Sequence, residues 1–527
     1  MVDEAGSGAY WRRDRAARGA VFIDMEGYFI AAREAMLRAR RSIWFVNWAF
    51  EANTPFDPGP GGQAPPEDRI GPFLKRLADE KPELDVRILC WDSALPVAAT
   101  QNFFPIVDTH TFRGSRVRFV LDDKVPLGAC HHQKMIVIDD AIAFCGGGDI
   151  GPDRWDTPDH RDDDPRRIKT RADNRCFDSR HEVMAIVDGE AARSLADLFR
   201  QRWARATGEV IPEPWPSDSA APDPAAAASG GPADPWPPEV RPAFRDVQVG
   251  ISRTMPRWRG EPGVREIEQL TLVQVARARR SIYMENQYFT SPLLAEALAA
   301  RLVEPDGPEV VLVSTQHSPS YFDQITMDRT RAHFFARLRA VDRHGRFFAY
   351  SPLTALARTI IVHAKVAIVD DEVLRIGSAN MNNRSAGFDT ECDLSFEAEG
   401  RTGAETADAI AAIRTRLVAH WLGCDDALVD ATVAREGGLG RGIEALRAGG
   451  RTRLRPIPST STGPLARLIA YYHLGDPVTA FDSWRPWRRR EQIAKDMKRL
   501  EALRPYRHPP VPRPHWRLRR GKGAFTP

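Results

Sequence analysis

The sequence predicts an α/β protein built from two pseudo-symmetric α/β/α sandwich halves that meet at a shared site, followed by a basic C-terminal extension. Three observations carry this reading. A proline-rich break interrupts the middle of the chain, the same segments recur on both sides of it, and short apolar strand-like runs alternate with amphipathic helical stretches.

The break is Glu209–Pro242. Ten of the 41 prolines fall there, with an Ala/Ser/Gly run between Ala220 and Ala233. Such a segment buries no core and prefers extended backbone, so 209–242 is expected to be a linker or a long surface excursion. It separates an N-terminal half, 1–208, from a C-terminal half, 243–430, with the extension over 431–527. A chain of 527 residues has room for roughly two to four such units.

The repeat is clearest where Arg38–Phe50 reads RARRSIWFVNWAF and Arg277–Phe289 reads RARRSIYMENQYF, with eight of thirteen positions identical, among them Asn47 with Asn286. A helical stretch precedes each copy, around Tyr28–Ala39 and Ile267–Ala278. Strand-like runs then correspond in order: Val86–Cys90 with Val310–Val313, Val117–Leu121 with Phe347–Tyr350, and Met135–Ile138 with Val366–Val369. Ala192–Trp203 and Thr406–Trp421 read as the closing helices of the two halves. Beyond about residue 430 the repeat ends, and Ile493, Met497, Leu500 and Leu503 keep helical spacing in a charged segment.

The repeat peaks on one constellation. His132-Gln133-Lys134 and His363-Ala364-Lys365 each open the pattern HxKxxxxD, closed by Asp139 and Asp370. A glycine-containing turn follows in both, and Asp149 and Asn380 lie 17 residues after their histidines. On extended backbone, residues i and i+2 face the same side, so each histidine points with its lysine. Two copies face to face gather two imidazoles and two ammonium groups, and that much positive charge requires an anion. A phosphate suits it, with the lysines on its nonbridging oxygens. One histidine can then attack phosphorus while the other protonates the leaving alkoxide, through a phosphohistidine later released by water or an alcohol. The lysines supply the positive field, so no metal and no cofactor is expected. Asp139 and Asp370 complete the catalytic motif, and their place after a strand suits them to anchoring a turn. Glu182 and Glu391 follow the glycine turns, where each suits an imidazole Nδ1 and would fix its tautomer. His131 should point away from His132, and Asp162-Asp163-Asp164 reads as a solvated acidic loop.

These residues resemble the phospholipase D superfamily, which the paired HxKxxxxD motifs define, over roughly Val21–Gly423. Met284–Phe289 looks like the IENQYF segment of eukaryotic-type phospholipases D. Gly146–Ile150 with Arg154-Trp155-Asp156 and His160 looks like their GGxDL…RWD…H stretch, and Ser378–Ser385 is similar to their SANINDRS. The resemblance implies the phospholipase D fold and cleavage of phosphatidylcholine-like lipids to phosphatidic acid and free headgroup. Transfer of the phosphatidyl group to alcohols is implied with it. It also implies that His132 is the nucleophile and His363 the acid, that Lys134, Lys365, Asp149 and Asn380 contact phosphate or shape its pocket, and that Glu182 and Glu391 orient the histidines. No segment resembles the lipid- or calcium-binding domains of the eukaryotic enzymes, so calcium dependence is not implied. The family also contains cardiolipin synthase-like phosphatidyltransferases and nucleases.

Composition narrows the partners. Apolar residues make up 43% and charged residues 28% of the chain, as in a globular protein. Net charge is +3, but Arg485–Lys522 holds 14 Lys/Arg against 3 Asp/Glu, a balance of +11 that leaves −8 for the rest. An acidic body argues against a nucleic-acid partner. The basic tail fits either a solvated end or contact with an anionic membrane, and Trp484-Arg485-Pro486-Trp487 fits either an interfacial segment or a packed helix. The expected partners are a phospholipid surface and water or an alcohol acceptor, and the oligomeric state is open. Met1–Ala20 has no apolar core of a signal peptide, and no run of about 18 apolar residues exists, so a cytoplasmic or peripheral membrane location is expected. The six cysteines, Cys90, Cys130, Cys145, Cys176, Cys392 and Cys424, form no CxxC pair and read as core residues in a reducing compartment.

Overall fold

The structure, a computed structural model, describes residues 8–93, 105–167, 177–213, 234–450, 452–458 and 463–503. The centre of the proline-rich segment, Cys176 and the basic residues Arg504–Lys522 lie outside that set.

The N-terminal half contributes β1 (Arg12–Ile23), β2 (Ser42–Asn47), β3 (Asp85–Trp91), β4 (Arg118–Asp122), β5 (Met135–Ile138), β6 (Ile142–Gly146), β7 (Arg180–His181) and β8 (Val183–Asp188). The C-terminal half contributes β9 (Phe244–Met255), β10 (Val264–Arg265), β11 (Ser281–Glu285), β12 (Glu309–Val313), β13 (Phe347–Pro352), β14 (Ile361–Val362), β15 (Val366–Val369), β16 (Val373–Gly377) and β17 (Glu391–Glu397). After it comes β18 (Leu454–Pro456). Among the described residues the main sheet has sixteen strands, in the order β18-β13-β12-β11-β15-β16-β17-β9-β1-β8-β6-β5-β2-β3-β4, with β10 beside β9. Read outward from the β1–β9 seam, the two sides match strand for strand: β8-β6-β5-β2-β3-β4 against β17-β16-β15-β11-β12-β13. In each half three strands run parallel (β2-β3-β4 and β11-β12-β13) and the other strands of the main sheet pair antiparallel, while β7 and β14 pair parallel in a small sheet of their own.

The halves are therefore joined more tightly than two adjacent sandwiches. Strands β1 and β9 pair antiparallel from Arg12↔Ile251 to Gly19↔Phe244, making one continuous sheet. Strand β1 reads RRDRAARGAVFI and carries no alternating apolar signal, which is why the sequence hid it. Its arginines find acids around it: Arg12 with Asp197 at 2.6 Å, and Arg18 with Asp188 at 2.7 Å.

The central strands are buried on both faces and read as unbroken apolar runs, such as Ser42–Asn47 and Val183–Asp188. Helices cover both faces. The closing helices, Gly189–Thr207 and Gly403–Leu422, end at Gly208 (φ 80°) and Gly423 (φ 65°), in the left-handed region that favours glycine at a helix end. Trp203, Trp421 and the sheet residues beneath them form one apolar core across both halves, while each half keeps its own core on the other face. Helices Met25–Arg38 and Glu266–Arg277 stand where the spacing predicts them, and Pro486–Leu503 takes up the late helical spacing. Among the described residues no helix is long and apolar enough to cross a membrane. Cys90, Cys130, Cys145 and Cys392 are free and buried.

Two expectations need correction. Asp162-Asp163-Asp164 is solvated only in part: Asp163 is exposed and pairs with Arg358, while Asp162 accepts from Thr354 Oγ1 and the Leu356 amide, and Asp164 is buried against Arg166. The triplet thus ties the first half to the second. Asp139 and Asp370, counted with the catalytic set, stand at the far end of their strands. Seven residues of extended chain separate each from its histidine, roughly 20 Å. Asp139 accepts from the amides of Arg40, Arg41 and Ser42 at 2.9, 2.7 and 2.8 Å. Asp370 accepts from Arg279, Arg280 and Ser281 at 2.6, 2.7 and 2.8 Å. Each caps the turn that feeds the repeated RARRSI segment into its strand, from a left-handed position (φ 56° and 55°). Asp139→Ala or Asp370→Ala should lower the unfolding free energy measured in urea by roughly 1–3 kcal/mol, and the asparagine variants should lose less, because Asn accepts positive φ and keeps one acceptor.

Candidate active site

The two histidines meet at the seam, and each is positioned by the other half. His131 bridges Thr390, and the His132 amide donates to Thr390 O at 3.0 Å. On the other side β14 pairs with β7, and the His363 amide donates to His181 O at 2.9 Å. The residue after each docking partner is a carboxylate. His132 Nδ1 lies 2.9 Å from Glu391 Oε2, and His363 Nδ1 lies 2.8 Å from Glu182 Oε1. Both glutamates are fully buried. The histidine side chains keep 14% and 9% exposure, so solvent reaches them. His131 points away, with Nε2 3.0 Å from Asp122.

Regular strand pairing begins only at Met135 and Val366, one residue after each lysine. Lys134 Nζ donates to His132 O at 2.8 Å and stands 3.3 Å from Asp149 Oδ2. Lys365 Nζ likewise donates to His363 O. Asp149 accepts from the amides of Trp48 and Ala49 at 2.9 and 3.1 Å, so this carboxylate holds Lys134 and a turn. Asn380 is tied to Ser385 Oγ through its amide, and its Oδ1 is buried without a hydrogen-bond partner. The glycine turn closes the pocket. A Cβ on Gly147 would stand 3.0 Å from Glu182 Oε2 and 3.1 Å from His363 O, so a side chain there would press these two groups apart. Its counterpart, Ser378, donates from Oγ to Glu391 Oε2 at 2.5 Å.

The electrostatics follow from burial and crowding. Burial with Lys134 and Lys365 pushes His132 well below its ordinary value, and burial with Lys365 and Arg154 does the same to His363. Burial pushes Glu391 up to about 8, against Lys134 and Ser378, and raises Glu182 against Lys365. With Nδ1 turned to the carboxylate in each pair, Nε2 is the ring nitrogen left for the pocket. Burial, aided by Lys134 and opposed by Glu182, brings Lys365 down to about 7.

Sequence reasoning missed a second buried layer beneath His363. His181 sits between Asp24 Oδ1 at 2.9 Å and Glu285 Oε2 at 2.8 Å. Glu285 also accepts from Trp421 Nε1 at 2.8 Å and from the Tyr283 hydroxyl. His160 Nδ1 lies 2.9 Å from Asp156, which leaves its Nε2 facing His420 Nε2 at 3.2 Å. Asp24 has φ 66°, a costly position for a non-glycine residue. Its carboxyl is held below the usual range by His160 and His181 despite burial. The signal for this layer was a glutamate closing the apolar run Ile282–Met284 and histidines beside apolar helix and strand residues.

A sheet of mirrored halves, with one His–Lys pair from each at the seam, defines a duplicated-half enzyme fold. Residues 35–293 match the family model described as Phospholipase D, and residues 272–414 match that described as Cardiolipin synthase, PLD-like domain. The chain belongs to the phospholipase D superfamily. It is 23% identical to phospholipase D A of Dictyostelium discoideum over 435 residues, covering 71% of this chain and 32% of that protein. It is 25% identical to phospholipase D1 of Saccharomyces cerevisiae over 507 residues, covering 77% and 29%. It is 25% identical to cardiolipin synthase of Geobacillus kaustophilus over 333 residues, covering 60% and 53%. The chain thus spans between about a third and a half of the length of these relatives. The crystal structure of phosphatidylserine synthase from Haemophilus influenzae shares the fold, with a TM-score of 0.50 at 12% identity, covering 92% of this chain and 94% of that one.

The His181 arrangement makes a pH prediction. Burial opposes its charge, but Asp24 and Glu285 outweigh it and raise the imidazole from 6.5 to about 10. A folded value above the unfolded one contributes stability in full below 6.5 and loses it as pH climbs toward about 10. The urea midpoint should therefore carry a falling component over that window, and His181→Asn should remove it.

Proposed function

We propose that this protein is a phosphodiesterase of the phospholipase D type, acting on glycerophospholipids such as phosphatidylcholine. It would release the free headgroup, leave phosphatidic acid, and pass the phosphatidyl group to alcohols. The observation that carries the reading is the crossed pair: two imidazoles with free Nε2, each backed by a buried carboxylate of the opposite half, between two lysines.

In the proposed reaction the phosphodiester anion settles among Lys134, Lys365 and Arg154 and offsets their mutual repulsion. That relief lets His363 take up a proton. His132 Nε2 attacks phosphorus, the bond to the headgroup oxygen breaks, and His363 gives its proton to the leaving alkoxide. Water or an alcohol then loses its proton to His363 and attacks phosphorus, breaking the P–N bond and freeing His132. The lysines and the arginine supply the field that holds the transition-state charge, so the step requires no divalent ion. Glu391 and Glu182 act through the histidines by fixing their tautomers. The assignment of nucleophile and acid rests on the resemblance to eukaryotic-type enzymes, because the pseudo-symmetry makes the two sides alike. The match of residues 272–414 favours a second reading, transfer to phosphatidylglycerol as acceptor.

Phosphatidylcholine vesicles with EDTA and ethanol should give phosphatidylethanol beside phosphatidic acid, and His132→Ala and His363→Ala should abolish both. No product from any phospholipid would overturn the lipase reading. Cardiolipin as the chief product from phosphatidylglycerol would select the second reading. Glu391→Gln should lower kcat about 100-fold with little change in KM. Because Lys365 loses its proton as pH rises through about 7, and the anion prefers the ammonium form, affinity for inorganic phosphate should fall above that pH. Lys365→Gln should weaken phosphate binding and flatten its pH dependence.

A further inference from the structure

The segment after the repeat carries six exposed apolar side chains on two helices that touch and on the turn between them: Leu465, Leu468, Tyr471, Phe481, Trp484 and Trp487. Soluble surfaces carry single apolar residues, but a cluster of this kind marks a contact. Trp484 and Trp487 remain 70% and 61% exposed, so they do not serve as core filler for the last helix. On the helix Pro464–Tyr472, Leu465, Leu468 and Tyr471 recur every third residue on the outward side, while Ile469 and Ala470 turn inward.

Exposed cations outnumber exposed acids around this cluster, where Glu491 is also exposed. Arg485, Arg488 and Arg490 are exposed, and they lie over aromatic rings: Arg485 and Arg488 over Phe481 at 5.3 and 4.9 Å, and Arg490 over Tyr471 at 3.8 Å. The aspartates of the segment are used inside. Asp482 holds buried Arg489 at 3.2 Å, and Asp496 pairs with Arg265 at 3.1 Å.

The cluster is also fastened to the lip of the active site. Asp476 is fully buried and accepts from the amides of Asn383 and Arg384 at 3.1 and 2.9 Å, and from Thr290 Oγ1 at 2.8 Å. Asn383 and Arg384 follow the Ser378–Asn380 turn of the second half. Arg384 in turn donates to Gly128 O at 2.9 Å, and a Cβ on Gly128 would touch Trp484 at 3.9 Å. Gly128 lies four residues before His132, beside Leu127, which is itself exposed.

We infer that this tryptophan- and arginine-rich face is the membrane-docking surface, and that it seats the mouth of the His132/His363 site on a phospholipid bilayer containing anionic lipid. The indoles and leucines enter the boundary between headgroups and acyl chains. Arg485, Arg488 and Arg490 remain at the level of the lipid phosphates. The catalytic histidines then face the headgroup layer, where a scissile phosphodiester lies. The inference rests on the phospholipid reading above for its occupant and assigns it a place.

The test separates binding from turnover. Vesicles of phosphatidylcholine mixed with phosphatidylglycerol are sedimented with the full-length His132→Ala protein, alone and combined with Trp484→Ala/Trp487→Ala. Trp484→Ala/Trp487→Ala in the active background is assayed on a short-chain, monomeric phosphatidylcholine. The paired tryptophan change should weaken vesicle binding about tenfold or more and leave turnover of the monomeric lipid intact. Arg485→Glu/Arg488→Glu/Arg490→Glu should remove the preference for phosphatidylglycerol and the salt sensitivity of binding. Unchanged vesicle binding in the tryptophan variant would overturn the inference. So would a stable dimer that the same variant dissolves, because the face would then be a contact between copies. Vesicle binding without turnover of any lipid by the unmutated protein would sink the proposed reaction and leave the docking surface standing.

Discussion

Everything at the candidate site depends on a crossed contact between the halves, in which each imidazole leans on a carboxylate it does not share a half with. His132 meets Glu391, and His363 meets Glu182. A buried carboxylate without a partner is costly, and so is a buried imidazole forced to carry charge. Brought within 3 Å, each gives the other a polar partner in place of water, and the cost is largely relieved. Neither half can satisfy its own glutamate in this way, so the seam is energetically closed only when both halves are present. The backbone repeats the crossing one residue earlier, where His131 meets Thr390 and Val362 meets His181.

From that constraint the surrounding design follows. The β1–β9 pairing makes one sheet of two, so the halves cannot slide and spoil distances near 3 Å. The shared core under Trp203 and Trp421 braces the same seam from one face. The layer of Asp24, His181 and Glu285 braces it from within, with Asp24 from the first half and Glu285 from the second gripping one imidazole. The hydrogen bonds that His363 and Ala364 make to His181 O carry that rigidity to the histidine itself. The Asp162-Asp163-Asp164 triplet adds a further clasp across the halves.

The segment after residue 430 is more than an appendage to this core. Strand β18 lengthens the sheet beside β13, and Asp476 holds the chain against the second glycine turn. The same stretch that finishes the fold thus shapes one rim of the pocket. Its outward face keeps tryptophans and arginines that stay exposed among the described residues, which is where composition and packing part company: the inward residues answer to the core, and the outward ones to whatever lies beyond it.

Periodicity and repetition alone determined a good deal. The apolar runs from Val86–Cys90 to Val366–Val369 became strands in the order expected, because a strand buried on both faces needs an unbroken apolar run. The motif spacing singled out His132, Lys134, His363 and Lys365, because residues that recur together with equal spacing share one environment. Tertiary structure alone decided which glutamate serves which histidine, since local spacing cannot report a contact 259 residues apart. It moved Asp139 and Asp370 out of the site, because a motif written on a strand spans both of its ends. It also made a strand of arginine-rich β1, whose partners are acids scattered along the chain. Local pattern records what each segment must bury, and only the assembled sheet records against whom.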